Sequence, residues 1–234
     1  MKSTHHVLIG LLLLSFIGCR KQYEAPIPYT FSDTPGAGQF TQPIRLAMEG
    51  VYGVSDGADQ FGGQVALKWT YVKNGADTTH FLSIFTGVDV GFFNLQGGAT
   101  ADSLTLRGYW RTLVNTETGR TRLTVRMKHN GQLHRFSGRL AAGDTLVIDG
   151  TYGNKAGEPT KRLTLTYRRP LNPKPFAILA HRGGGRTSDL LSVSENSVEI
   201  VKMASRFGAT GIEIDVRYTK DGVPILYHDN SLNL

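Results

Sequence analysis

Between residues 44 and 169, apolar and polar residues alternate in short segments that are separated by turn-forming residues. The alternating segments are 64–73, 80–85, 103–113, 120–128, 145–152 and 162–168. Successive side chains of a strand point to opposite faces, so a period of two is typical of half-buried strands. The pattern predicts an all-β module over residues 44–169, built as a sandwich or a small barrel.

A short motif recurs within this module. Segments 48–52, 106–110 and 148–152 each contain an apolar residue, a spacer, a glycine, a spacer and an aromatic residue. Glycine weakens the interior of a strand and often marks a bend or a close approach of another backbone. The motif therefore predicts a structural repeat in which strands meet closely.

The pattern changes after residue 175. The apolar run 176–180 is typical of a strand that is buried on both faces in a parallel sheet. A helix is predicted next, because Asn196 and Glu199 have the spacing of a capping box and Gly208 supplies a left-handed stop. Residues 176–234 are therefore predicted to form a second domain, after a proline-rich linker at 170–175.

Two carboxylates and a hairpin follow the predicted helix. Residues 212–216 alternate, which places Glu213 and Asp215 on the same face of a strand. Adjacent negative charges repel each other, and they are tolerated on a solvated strand face or where a hard cation lies between them. A two-residue turn at 221–222 would join this strand to the next and would set Asp215 opposite His228.

Two histidines lie at strand ends in the same region. His181 follows the apolar run and His228 follows the second strand of the hairpin. Imidazole titrates near neutral pH, so a pair of histidines suits proton transfer in both directions. Asp229, next to His228, is interpreted as a loop residue.

Five short motifs occur in a fixed order in this second domain. They are His181-Arg182-Gly183, Glu195-Asn196, the segment 212–215, the segment 219–222 and His228-Asp229. Together they resemble the glycerophosphodiester phosphodiesterase family. The stretch from His181 to Glu195 looks longer than is usual in that family, and Ser197 stands where threonine is common.

The resemblance implies a fold and an activity. The fold would be the first strands of a (β/α) TIM-type barrel, which normally has eight strands and about 250 residues. The activity would be metal-dependent hydrolysis of a glycerophosphodiester to glycerol 3-phosphate and an alcohol. Because only three strands fit into 176–234, the domain is predicted to be incomplete in this chain and its activity to be impaired.

The resemblance also implies roles for individual side chains. The implied ligands of a divalent cation, Ca²⁺ or Mg²⁺, are the carboxylates Glu195, Glu213 and Asp215. The implied catalytic residues are His181, His228 and Arg182. The implied contacts with the substrate come from Arg182 and Asn196.

The N-terminus has the pattern of a processed leader. Lys2 precedes an apolar core at 7–17, which is followed by Gly18 and Cys19. The core is shorter than the roughly 20 residues that span a bilayer. Residues 1–18 are therefore predicted to be a signal peptide, and Cys19, the only cysteine of the chain, to carry a lipid anchor. Residues 19–43 would be a tether that places the protein in a bacterial cell envelope, facing the periplasm or the cell exterior.

The formal net charge of +7 changes the functional picture little. The basic residues are spread along the chain without the interleaved aromatic residues or the recognition helix of a nucleic-acid-binding protein, and export makes such a partner still less suitable. Two other functions stay open beside the phosphodiesterase. One is a non-enzymatic surface lipoprotein that binds a glycan or lipid through its β-module, and the other is a related phospholipase that acts on an intact lipid.

Overall fold

The structure, a computed structural model, describes residues 37–112, 117–154, 157–171, 177–186 and 193–231. The predicted signal peptide and the Cys19 anchor lie outside the described residues, as does most of the proline-rich linker. Within the described ranges, no helix is both long enough and apolar enough to cross a membrane.

Nine antiparallel strands form the first part of the molecule. Their bounds are β1 Gly50–Val54, β2 Gln64–Asn74, β3 Asp77–Thr86, β4 Gly91–Ala99, β5 Leu104–Thr112, β6 Thr118–His129, β7 Gln132–Arg135, β8 Thr145–Tyr152 and β9 Lys161–Arg169. Each segment predicted from alternation coincides largely with one of these strands. The sheet closes on itself because β1 pairs with β9 and β5 pairs with β6, which gives an eight-stranded barrel with β7 as an extra strand beside β6.

The interior of the barrel is filled by side chains. The inward-facing residues of the strands form one continuous apolar core. Two short helices, α1 (Gln42–Met48) and α2 (Ala58–Phe61), add buried residues to it. The ring of Phe61 packs 4.7 Å from that of Phe93 and 4.8 Å from that of Tyr152. Phe40 is also part of this core, so packed residues extend to positions before 44.

The recurring glycine motif marks places where backbones meet. A Cβ atom at Gly108 would lie 2.0 Å from the Asn94 carbonyl oxygen, and one at Gly150 would lie 2.2 Å from the Arg122 carbonyl oxygen. Only glycine allows neighbouring strands to approach so closely. The aromatic residue two positions later, Trp110 after Gly108, then fills the interior. The predicted close approach is confirmed.

The C-terminal region is made of short elements. Strand β10 (Leu179–Ala180) pairs in parallel with β11 (Gly211–Ile212), and the helix α3 (Val198–Ala204) lies between them in the chain. Strand β12 (Val216–Tyr218) pairs with β13 (Pro224–Leu226) as a separate antiparallel hairpin.

The predicted fold class, an all-β module followed by the first strands of a (β/α) TIM-type barrel, is wrong. Across the described ranges the architecture is a closed antiparallel barrel with little helix, and no TIM-type barrel is formed. The predicted strand at 212–216 is interrupted after Ile212. The reason is that the Asp215 N–H donates to the side chain of Asn196 and not to a neighbouring strand.

The C-terminal region is anchored on the outer face of the barrel. Three polar residues of β2, β3 and β4 donate hydrogen bonds to main-chain carbonyls just after α3. Thr70 bonds to Ser205 at 2.8 Å, while Ser83 and Asn94 both bond to Arg206. Ser83 is 0% exposed and Asn94 is 7% exposed, although both lie on strand faces that point away from the core. These bonds satisfy carbonyls that the end of a helix leaves open.

Candidate active site

The site is built around a strained turn at the end of β10. Arg182 has a φ of 52°, in the left-handed region that residues other than glycine seldom adopt. Its N–H donates to Oε2 of Glu213 at 2.9 Å, and its carbonyl accepts the N–H of Asn196 at 2.9 Å. The Glu213 N–H donates to the Ala180 carbonyl before Arg182, and the Glu213 carbonyl accepts the N–H of Gly183 after it. These bonds hold a conformation that costs energy, which is a feature of functional sites.

The guanidinium of Arg182 connects the motifs. Its Nη1 lies 3.1 Å and 3.2 Å from the two carboxylate oxygens of Glu195, and its Nη2 lies 2.7 Å from Nε2 of His228. The side chain is 17% exposed. Its Nε is buried and has no hydrogen-bond partner among the described residues. Arg182 therefore joins three separate segments and keeps one donor for a further acceptor.

His228 has a defined tautomer in this arrangement. A guanidinium nitrogen can only donate, so Nε2 of His228 must be the acceptor and Nδ1 must carry the proton. Nδ1 lies 2.7 Å from the Asp229 carboxylate, which accepts that proton as a hydrogen bond. Asp229, interpreted from the sequence as a loop residue, thus orients the imidazole. Its position directly after a candidate histidine was the signal that could have identified it.

Asn196 positions Asp215. Its amide donates from Nδ2 to Oδ2 of Asp215 at 3.0 Å and accepts the N–H of Asp215 at Oδ1, also at 3.0 Å. The predicted helix cap is wrong: Ser197 caps α3 by accepting the N–H of Ile200. Asn196 has a φ of 55°, whereas a capping residue needs an extended backbone, which Ser197 has. The predicted contact of Asn196 with substrate stays a prediction.

The surroundings of Asp215 favour its ionised form. The hydrogen bond from Asn196 lowers the pKa of the Asp215 carboxyl, and the positive charge of Arg182 lowers it further. Partial desolvation acts in the opposite direction but does not prevail. Asp215 is thus held as a carboxylate under the influence of the Arg182 guanidinium.

The hairpin has a different register from the predicted one. Val216 pairs with Leu226, and the N–H of Tyr227 donates to the Asp215 carbonyl, so Asp215 lies opposite Tyr227 and not opposite His228. The cause is the turn. Thr219 bonds to Val223 through both its main chain and its hydroxyl, which makes a longer loop than the predicted two-residue turn.

His181 and Glu213 form the exposed side of the site. Nε2 of His181 lies 4.0 Å from Oε2 of Glu213, and the His181 side chain is 64% exposed. The same Glu213 oxygen accepts the Arg182 N–H. The predicted site residues of the second domain are thereby linked by contacts: His181 to Glu213, Glu213 to Arg182, Arg182 to Glu195 and His228, and Asn196 to Asp215.

A divalent cation would find an incomplete set of ligands here. No three His, Cys, Asp or Glu side chains of the described ranges converge closely enough to hold a metal ion. Both oxygens of Glu195 face the Arg182 guanidinium. Glu213 and Asp215 still offer carboxylate oxygens, and Mg²⁺ often binds through one or two carboxylates plus water and substrate phosphate. The two residues fit that mode of binding.

Comparison with known proteins shows that this region is similar in sequence to phosphodiesterases. Residues 181–234 match the profile of the Glycerophosphoryl diester phosphodiesterase family. A segment of 55 residues is 42% identical to glycerophosphodiester phosphodiesterase 1 of Rattus norvegicus and covers 24% of this chain and 15% of that protein. The human protein of the same name is 40% identical over 58 residues, which are 25% of this chain and 16% of that protein.

A fungal relative gives a similar result. The glycerophosphocholine phosphodiesterase of Eremothecium gossypii is 42% identical over 55 residues, which cover 22% of this chain and 4% of that protein. The matched part of this chain thus spans less than a fifth of the length of these relatives. No solved structure matches the chain.

Proposed function

We propose that this protein is a phosphoric diester hydrolase that converts glycerophosphodiesters to glycerol 3-phosphate and an alcohol, with the help of Mg²⁺ or Ca²⁺. The observation that carries the proposal is the position of Arg182, whose main chain and side chain bind Glu213, Glu195 and His228. Arg182 and the three residues that it binds belong to four of the five family-like motifs. The family match over residues 181–234 supports the same substrate class.

Arg182 would bind the phosphate. Its planar guanidinium suits paired hydrogen bonds to phosphate oxygens, and its buried Nε has no acceptor among the described residues. A buried donor without a partner costs roughly 1–3 kcal/mol. A phosphate oxygen at Nε would remove that cost, because the substrate would supply the hydrogen-bond acceptor that Nε lacks.

The two histidines would share the proton transfers. Nε2 of His228 bears the lone pair and is oriented by Asp229 through Nδ1, so His228 would act as the general base. Donation of a proton to the leaving alcohol oxygen would fall to the exposed His181. The phosphorus–oxygen bond to the alcohol breaks as a bond forms to the nucleophile; with water as the nucleophile, the product is glycerol 3-phosphate directly. If the substrate's own glycerol hydroxyl attacks instead, a cyclic phosphate forms, and water would then open it to glycerol 3-phosphate.

Glu213 and Asp215 would hold the cation, with Asn196 fixing the direction of the Asp215 carboxylate. A bound Mg²⁺ or Ca²⁺ would neutralise charge that develops on the phosphoryl oxygens. Glu195 would keep the Arg182 guanidinium in place and would complete the ligand set only if Arg182 turned toward substrate.

The N-terminal lipid anchor is part of the proposal. It rests on the apolar core at 7–17 and on Cys19, which follows it directly and is the only thiol of the chain. An acylated Cys19 would hold the enzyme at a bacterial membrane, close to a source of glycerophosphodiesters. A Cys19→Ala variant should lose fatty-acid labelling and should no longer fractionate with membranes; continued labelling would contradict the anchor.

A substrate panel tests the enzymatic part. Full-length protein is assayed with glycerophosphocholine, glycerophosphoethanolamine and phosphatidylinositol, with added Mg²⁺ or Ca²⁺ and with a chelator. Release of glycerol 3-phosphate from the first two compounds, lost with the chelator, is the expected result. Turnover of phosphatidylinositol alone would favour a phospholipase. No turnover of any compound with either metal would contradict the proposal and favour a non-enzymatic protein.

A further inference from the structure

The two ends of the barrel differ in the side chains that they expose. At one end, β1, β3, β5 and β8 begin and β2, β4, β6 and β9 end, as their antiparallel pairing requires. The helix α1 lies at this end, because it leads directly into β1 and buries Ile44 and Met48 in the core. A Cβ atom at Gly138 would lie 3.2 Å from Cγ1 of Ile44, so the segment after β7 packs against α1. We call this the α1 end of the barrel.

Large apolar side chains are exposed at the α1 end. They come from α1, from the last part of β2, from β7 and from the segment after β7, and their exposed fractions run from 37% to 61%: Leu46, Tyr71, Leu133 and Leu140. In the described part of the barrel, the other large apolar residues that are exposed are Val88 and Val90, at the opposite end. A group of exposed apolar side chains among polar residues is typical of an interaction surface.

Basic residues lie beside these apolar side chains. Lys73 follows Tyr71 by two positions, and its Nζ lies 6.0 Å from the centre of the Tyr71 ring. Lys128 on β6 pairs with Leu133 on β7. The exposed basic residues of the α1 end include Lys73, Lys128, Arg135 and Arg139. Cationic and apolar groups are thus interleaved on one surface.

The carboxylates of the α1 end only partly offset these cations. Glu49 and Asp144 both accept main-chain N–H groups of the barrel. Asp77 and Asp102 are exposed. The exposed cations outnumber the exposed carboxylates, so the α1 end is electropositive.

The opposite end has the reverse balance of charge. Its exposed acidic residues include Asp56, Asp59, Glu117 and Glu158. Its exposed basic residues include Lys161 and Arg162. An anionic surface would therefore be attracted to the α1 end and not to the opposite end.

The chain also joins the barrel at the α1 end. Gly38 pairs with Ala99 at the end of β4, and the side-chain amide of Gln39 donates to the Thr78 carbonyl at the start of β3. The segment 19–43, which is predicted to be a tether, therefore enters the barrel from this end. A bilayer that held an acylated N-terminus would meet this end of the barrel first.

We propose that the α1 end of the barrel binds the surface of an anionic phospholipid bilayer. Leu46 and Tyr71 would enter the headgroup region, and the lysines and arginines around them would face the lipid phosphates. Tyrosine suits this position because its ring is apolar and its hydroxyl is polar. Apolar burial and attraction to anionic lipids act together in such binding, and each basic residue near the surface strengthens it roughly fivefold.

Vesicle binding of the chain from Arg20 onward tests the proposal. This form lacks the apolar core at 7–17 and Cys19, either of which would bring lipid binding of its own, and it retains all described residues. The vesicles contain phosphatidylcholine alone or mixed with an equal part of phosphatidylglycerol. We expect binding to the mixed vesicles that weakens when salt is raised from roughly 0.1 M to roughly 1 M. Equal binding to both kinds of vesicle would overturn the proposal.

A matched pair of double variants locates the contact. Lys73→Gln with Lys128→Gln removes two charges from the α1 end, and Lys161→Gln with Arg162→Gln removes two from the opposite end. The first pair should weaken binding to the mixed vesicles roughly 25-fold. The second pair should change it less than about threefold, because strands of up to twelve residues separate the two ends by more than a Debye length. Equal effects of the two pairs would overturn the proposal.

A fluorescent label reports which end meets the lipid. The chain from Arg20 onward contains no cysteine, so Leu46→Cys and Val88→Cys each supply a single thiol. Nitrobenzoxadiazole on residue 46 should become brighter and blue-shifted on the mixed vesicles, because the dye would leave water. The same label on residue 88 should not change. An equal change at both positions, or a change at residue 88 alone, would overturn the proposal.

Other partners would give different results, and each would overturn the proposal. If dextran sulfate changed the label on residue 46 as much as the mixed vesicles do, this end would bind polyanions in general. If the label changed with rising protein concentration and no vesicles, this end would join two copies of the chain.

The inference goes beyond the proposed function and is tested separately from it. Neither assay involves hydrolysis or acylation of Cys19. Vesicle binding through the α1 end without turnover of glycerophosphodiesters would support this inference and contradict the enzymatic function. Turnover without vesicle binding would overturn this inference alone.

Discussion

The barrel and the C-terminal region are stabilised in different ways. The barrel has strands of up to twelve residues and a continuous buried core. In the described part of the C-terminal region, the buried apolar residues are Ile200 and Ala204, and the strands have two or three residues. A hydrogen-bond network around Arg182 takes the place of a core there. The candidate site thus lies in the part of the molecule that has the smaller share of hydrophobic stabilisation, which is common for functional elements.

The largest expected effect is the loss of stability when a side chain of the barrel core is removed, compared with removal of a side chain from the C-terminal region. Trp110 is fully buried, and its indole N–H donates to the Gly153 carbonyl at 2.9 Å. Trp110→Ala should lower the free energy of unfolding by about 3–5 kcal/mol. Tyr218→Ala, in the C-terminal hairpin, removes a side chain that is 74% exposed. This variant should change the free energy of unfolding by less than about 0.5 kcal/mol. Chemical denaturation measures both, and equal effects would contradict the comparison.

A smaller effect is expected at the contact between the regions. Asn94→Ala removes a hydrogen bond to the Arg206 carbonyl, which should cost the docked state about 1 kcal/mol. Amide hydrogen exchange in α3, for example at Val201, should then become roughly fivefold faster. Exchange in the barrel core should not change.

Asn130→Ala is the matched control, because Asn130 lies at the β6–β7 turn and its side-chain amide contacts His129. It should leave exchange in α3 unaltered. If Asn94→Ala also left α3 unaltered, the barrel would not be supporting the candidate site.

The smallest effect concerns the ionisation of Asp215. Asn196→Ala removes the main cause of its lowered pKa, so the pKa should rise toward the ordinary value of 3.8. A carboxyl whose pKa is lower in the folded state stabilises that state above its unfolded pKa. This stabilisation is lost as the pH falls from about 3.8 through the folded pKa. The variant should therefore show a weaker loss of stability over that range.

Titration of carboxyl carbon chemical shifts measures this directly. Asp221 is an internal control, since its pKa is lowered by the Thr219 hydroxyl and not by Asn196. A pKa of Asp215 that is unchanged in Asn196→Ala, or a parallel change at Asp221, would contradict the assigned cause.

The sequence predicted the barrel strands well because their pattern is local. A period of two reports which side of a strand is buried, and Gly108 and Gly150 reported the close backbone contacts. The closure of the sheet depends on the pairing of β1 with β9, which are more than a hundred residues apart, and no local pattern indicates it.

The site was predictable in composition but not in geometry. The motifs identified Arg182, Glu195, Glu213 and His228, which the structure connects. They did not reveal that Asn196 binds Asp215. The same residue types cap helices and bind backbone groups elsewhere, so residue type alone does not distinguish the two roles. The register of the hairpin was also missed, since it depends on the hydroxyl of Thr219.

The most direct test of the account is the kinetic effect of Arg182→Lys in full-length protein. Lysine keeps the charge but loses the planar fork that contacts Glu195 and His228. We expect kcat/KM for metal-dependent hydrolysis of glycerophosphocholine to fall about 100-fold or more, while Arg139→Lys, on an exposed residue of the barrel, leaves it unchanged. Equal activity of the two variants would contradict the central role of Arg182.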